Sequence, residues 1–158
     1  MTWNAMARTK TARLSLVLTH LQAEIAEAGL PSLADDPLGE SGKAVYRSPI
    51  TAYPSPCVEI LGAEGPVDAE SENQGTTVLE GWIVLSYRST DSAVPLADLA
   101  DGYLTALVRA AIRTRSARAP DEDFEVVGVS TSPSDKQGDG AFAQGVGLRL
   151  RHTIIEQL

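Results

Sequence analysis

The sequence predicts an α+β fold: an antiparallel or mixed four-stranded sheet with two long helices packed on one face, in the order α-β-β-α-β-β. Three stretches carry that expectation. Residues 77–88, TVLEGWIVLSYR, put Leu79, Ile83, Leu85 and Tyr87 on one side of a strand and Val78, Trp82 and Val84 on the other. A strand that is apolar on both faces belongs inside a sheet, covered on both sides or packed against a second subunit. Residues 96–115 bring Leu96, Leu99, Ala100, Tyr103, Leu104, Leu107, Val108, Ala111 and Ile112 round at spacings of three and four, one broad apolar stripe along a helix. Residues 142–155 alternate Val146, Leu148, Leu150, His152 and Ile154 with Gly147, Arg149, Arg151 and Thr153, a strand with one inward and one wet face.

Size and charge narrow the function classes. The chain has 158 residues, which favours one domain, 1–158, able to bury a core without disulfide staples. Its 21 acidic and 13 basic residues leave a formal charge of −8, so the average surface repels phosphates and general nucleic-acid binding is disfavoured. The basic clusters Arg8–Lys10–Arg13 and Arg109–Arg118 read as helix-dipole complements on a solvated face. Cys57 is the one cysteine, which excludes an internal disulfide and a thiol-based metal site within one chain. The apolar run after Arg13 is too short for a signal peptide, and no stretch is long enough to cross a bilayer. A soluble protein made in the cytoplasm is expected.

In order along the chain, residues 9–28 form an amphipathic helix with Leu14, Val17, Leu18, Leu21, Ile25 and Ala28 on one face and Arg13, Gln22, Glu24 and Glu27 elsewhere. Gly29 and Pro31 end it. Residues 30–56 lose periodicity and hold most of the prolines, a long loop. Residues 57–61 read as a short strand, and residues 62–75 as an acidic loop leading into the central strand. Pro95 suits the first turn of the second helix, with Asp98 and Asp101 near its positive end and Arg109, Arg113 and Arg115 near its negative end. Residues 124–130 form a third strand, residues 130–141 a turn-rich tip, and residues 142–155 the last strand, where Arg149 and Arg151 could act as a charged edge.

No catalytic set stands out. His20 and His152 have no spacing motif that pairs either with Cys57 or a serine, and His152 falls in the inward register of its strand as a core residue. Residues 135–140 look like a calcium loop, but Gln137 stands where Asp or Asn belongs and Val146 where the bidentate Glu would fall. Gly138, Gly140 and Gly145 are not spaced as a dinucleotide fingerprint and precede a strand. The acidic loop is read as a solvated charge run ahead of a divalent-ion site. No catalytic residue, cofactor or metal ligand is assigned.

Binding remains, because long loops on a small frame are where it usually sits. If both helices cover one face of the sheet, Trp82 and Val84 lie on the other, and association of subunits is the simplest cover. The candidate interface residues are Trp82 and Val84; Glu64, Asp68, Glu70 and Glu72 in the acidic loop; Asp135, Lys136 and Asp139 in the tip; and Arg149 and Arg151 on the wet face of the last strand.

The layout is similar to that of the phage tail terminator family. The likeness runs through the helix 9–28, the proline-bearing entry Tyr53-Pro-Ser-Pro-Cys-Val-Glu-Ile-Leu61, and the acidic loop with the long strand 77–88. It continues through the Leu- and Ala-rich helix that follows Asp91 (96–115) and the closing hairpin 124–155. It lies in element order and size and covers most of the chain. The resemblance implies a structural protein of a bacteriophage virion with no enzymatic activity. It implies a homo-oligomeric ring, commonly of six copies, that caps the tail tube, stops its polymerisation and joins the tail to the head or neck. Its implied partners are the tail tube protein, a head or neck connector and, as a further candidate, the tail sheath; DNA passes through the lumen without specific binding. A head-closure or neck adaptor of the same particle is the nearest alternative. A small cytosolic enzyme or ligand-binding domain, with a pocket between helices and sheet, is the alternative from another class.

Overall fold

In a computed structural model, residues 2–34, 37, 56–64, 67–69, 74–89, 96–132, 135–136 and 142–157 are described. The chain runs α1 (Thr2–Ser15), a π-helical segment (Leu16–Leu21), α2 (Gln22–Ala28), β1 (Cys57–Glu64), β2 (Val67–Ala69), β3 (Gln74–Ser89), α3 (Leu96–Ser116), β4 (Glu122–Thr131), β5 (Asp135–Lys136) and β6 (Phe142–Gln157). The sheet is antiparallel, with long strands in the order β1-β3-β6-β4. It has six strands where four were expected. Two short ones arise inside predicted loops: β2 pairs with β3 at 75–77 within the acidic stretch, and β5 pairs with β6 at 142–143 within the tip. Loop composition hides strands this short, because they contribute backbone hydrogen bonds and almost no apolar periodicity.

β3 and β6 form the spine. They pair along their whole length, from Gln74 opposite Gln157 to Ser89 opposite Phe142, a ribbon of about 50 Å at the usual rise per residue. β6 is therefore an interior strand, and Arg149 and Arg151 do not guard an edge. Their side chains project from the middle of one face.

Period two decides what each face buries. Leu79, Ile83, Leu85 and Tyr87 of β3 and Val146, Leu148, Leu150, His152 and Ile154 of β6 are all buried. Most of them share one core with Val58 and Phe124 of the flanking strands, Leu16, Val17, Leu21 and Ile25 of the first helical rod, and Ala100, Tyr103, Ala106, Leu107 and Ala110 of α3. Both helical rods thus lie on the same face of the sheet. Burying a Leu- or Ile-sized side chain contributes about 1.5–3 kcal/mol, so this single layer contact dominates the stability. Tyr103 and Tyr87 sit within it with ring centroids 4.9 Å apart, and the Tyr103 hydroxyl donates to the Pro31 carbonyl at 2.7 Å. Burial pushes the Tyr103 phenol up to about 12.

The first helix differs from expectation in length and in phase. It begins at Thr2, seven residues earlier than the apolar pattern suggested, because its front half packs one small and two polar residues inward: Ala5, Thr9 and Arg13 are buried. The π-helical segment then adds a residue to the turn and shifts the phase, so that Leu16, Val17, Leu21 and Ile25 face the core. Leu18, assigned to the apolar face by a regular period, is 43% exposed.

The basic clusters are not a plain solvated face. Arg8 pairs with Asp121 at 2.7 Å and Glu122 at 3.0 Å, and Arg13 is buried. Arg109 and Arg113 of α3 clamp the buried Glu24 of α2 at 3.0 and 2.6 Å, while Arg115 and Arg118 reach Asp123 at 3.1 and 3.5 Å. Helix-spaced charges that looked solvent-directed are cross-links between elements.

Candidate functional site

The face of the sheet turned away from the helices gathers four of the candidate residues. Trp82 lies between Leu61 of β1 and Arg149 of β6, and Val84 between Glu59 and Gly147. Trp82 and Val84 are half-buried, and Leu61 and Ile155 on the same face are exposed. Gly147 leaves space beside the indole: a Cβ there would lie 3.4 Å from the Trp82 ring and 3.2 Å from Ser130 Oγ. Toward one corner the face closes, since Cys57, Glu59 and Ser86 are buried. Among the described residues no helix lies against it.

Charge crosses this face in a matched row. Glu80 Oε2 accepts from Arg149 Nη2 at 2.5 Å and its Oε1 from Arg151 Nε at 2.8 Å; Arg151 Nη1 in turn donates to Glu125 Oε1 at 3.2 Å. Three strands, β3, β6 and β4, are laced together. The hydrogen bonds from Arg151 and then Arg149 hold the Glu80 carboxyl below the usual range, and the bond to Glu80 raises Arg151. These pairs are exposed, so each contributes little by itself to stability. Their value is in presenting a neutral, pre-ordered polar patch beside an apolar one, the mixture found at protein–protein contacts.

The remaining candidates are spread out. Glu64 ends β1 opposite Glu80, and Asp68 stands in β2 opposite Thr76. Asp135 and Lys136 stand in β5 opposite Ala143 and Phe142. Because Ala143 faces Arg88 across the spine, the acidic stretch and the tip sit at opposite ends of the sheet, about 40 Å apart at the usual strand rise. The side chains of these four, and Glu70, Glu72 and Asp139 altogether, lie outside the described residues.

Sequence reading missed Glu80, Glu125, Leu61 and Ile155. The signal for Glu80 was present, since period two places it between Val78 and Trp82 on the same face. Glu125, Leu61 and Ile155 needed the register between strands, which no single strand reveals.

The other polar cluster is internal. His152 is 0% exposed; its Nδ1 accepts from the Thr9 hydroxyl at 2.7 Å and its Nε2–H donates to Glu122 at 3.0 Å, the tautomer that satisfies both partners. Burial pushes the imidazole below its usual range, against the pull of Glu122. Burial also pushes Glu122 up, but the Ala119 amide, His152 and Arg8 outweigh it and hold the carboxyl low. This group ties α1 to β4 and β6 and offers no reacting atom to a substrate. Among the described residues no group of three or more His, Cys, Asp and Glu side chains could hold a metal ion, and no helix is long and apolar enough to cross a membrane. No protein-family model and no curated protein matches the chain.

Proposed function

We propose that the protein is a structural component of a virion, a ring-forming tail terminator that caps the tail tube, stops its growth and joins the tail to the head or neck. The observation that carries this reading is the lopsided covering of the sheet. Both helical rods lie on one face, while Trp82, Leu61, Val84 and Ile155 stand on the other beside a neutralised charge row. A second copy that covers this face with a surface of its own, other than the same face, makes a head-to-tail contact, and such contacts close into a ring when the rotation allows. The placement of the acidic stretch and the tip at opposite ends of the sheet suits a cap with two partners, tube on one side and neck on the other. With the short β2 and β5 set aside and the segments from α1 to α2 taken as one rod, the element order is compatible with the α-β-β-α-β-β layout on which the resemblance rests, which supports the reading.

Electron micrographs of purified protein, and of particles lacking it, test the proposal. Rings in the first, with tails of uncontrolled length and no attached heads in the second, are expected. A protein that stays monomeric in solution and on tails, with normal tails formed in its absence, would remove it. A head-closure or neck adaptor differs in the partner: it would be retained by the connector and leave tail length unchanged when deleted.

A further inference from the structure

Arg13 projects from α1 into the layer between helix and sheet, and only 2% of it is exposed. Its Nη1 donates to the Gly62 carbonyl. Gly62, at φ +72, stands where the register of β1 against β3 breaks. Gly81 lies alongside: a Cβ there would fall 2.7 Å from Arg13 Nη1 and 2.6 Å from the Gly62 oxygen. Two glycines therefore make the space that holds this guanidinium in one orientation. Its other edge, Nε with Nη2, is buried and has no acceptor among the described residues. Glu122 is already engaged by Arg8, His152 and the Ala119 amide, and Glu80 projects from the opposite face. Burial lowers the Arg13 pKa, and nothing nearby offsets it.

A buried cation with a free pair of parallel N–H groups is costly unless something accepts from it. Nε and Nη2 are the side-on fork of the guanidinium, spaced to meet two oxygens of one anion. We propose that this edge of Arg13 is a binding site for a small free oxyanion, such as sulfate, phosphate or a short carboxylate. The site is local in origin, because a chain of net charge −8 does not gather anions by its overall field. Entry requires a local opening of α1 over β1, a motion of the kind that exposes buried amides in folded proteins.

The test is urea unfolding of the full chain at fixed ionic strength, with sodium chloride exchanged for sulfate, phosphate or acetate in the low millimolar range. At that range, exclusion of kosmotropic salts from the surface is negligible. The expected result is a rise in the folded-to-unfolded ratio of about tenfold for each tenfold increase in oxyanion beyond its dissociation constant. R13M is expected to fold, because it exchanges an unpaired buried charge for an apolar chain of similar length, and to lose the response. R13K keeps the charge without the fork and is expected to lose most of it. K10M makes the same change in net charge at an exposed position of α1 and is expected to keep the response in full. No oxyanion effect in the wild type, an equal effect in R13M, or a full effect in R13K would each overturn the proposal.

Discussion

His152 shows how one buried residue sets a pH dependence. Its folded pKa lies below the ordinary value of 6.5, mainly through burial, so the unfolded chain binds the proton first as pH falls. Its contribution to stability is whole above that ordinary value and is lost progressively as pH drops through it toward the folded value. Glu122, also held below its ordinary 4.5, adds a second loss at lower pH, as the carboxyl protonates. The urea midpoint is therefore expected to fall between pH 7 and 5.5, with a slope of at most about 1.4 kcal/mol per pH unit from one proton. H152Q should flatten that window; an unchanged slope would place its origin elsewhere. Gly81 gives a second prediction at this scale. A Cβ there would meet the Leu61 and Gly62 carbonyl oxygens at 2.4 and 2.6 Å, backbone atoms that cannot turn aside. Gly81→Ala is expected to cost about 1–3 kcal/mol in chemical denaturation.

The first helical rod was legible as a helix but not as a surface. A constant period assigns Leu18 to the core beside Val17, whereas the π-helical turn gives that place to Leu16. Two substitutions separate the alternatives. Leu16→Ala is expected to cost about 2–5 kcal/mol as a core truncation, and Leu18→Ala no more than about 0.5 kcal/mol as a surface change; the reverse ranking in urea melts would restore the regular phase. The clamp between rods is similar in kind. Glu24 is buried and forms ion pairs with Arg109 and Arg113, so Glu24→Ala removes both pairs at an expected cost of about 0.5–1.5 kcal/mol. Screening of the half-exposed arginines puts the loss toward the lower figure.

For the whole molecule, the decisive feature is a sheet with one face covered by its own helices and another that no described helix covers, where Leu61 and Ile155 are exposed and Trp82 and Val84 half-buried. If that outward face meets a second copy, Trp82 is the natural anchor, since a large aromatic near a matched polar rim is the usual hot spot. Trp82→Asp is expected to weaken self-association by about 30-fold or more, the equivalent of a hot-spot loss of about 2 kcal/mol. The urea transition of the monomer should remain cooperative. Sedimentation over a range of concentrations reads the first and circular dichroism the second. Unaltered association would move the contact off this face.

The sequence by itself determined the long strands β3 and β6 and the helix α3 with most of their buried sides; Ile112, on the predicted stripe, is 57% exposed, and β2, β5 and the packed face of the first rod were not legible. Alternation in β3 and β6 and the stripe on α3 are consequences of local geometry, and local geometry repeats every two or 3.6 residues wherever the chain goes. It also placed Trp82 and Val84 on the face opposite Leu79, Ile83, Leu85 and Tyr87. Only the tertiary structure decided which strands are neighbours, and so brought Glu80 between Arg149 and Arg151, carried β6 to the interior and set Arg13 against Gly62 and Gly81. These contacts join residues 49 to 71 positions apart. A pattern read along one strand holds no information about the register of another, because register is settled by the packing of all the layers at once.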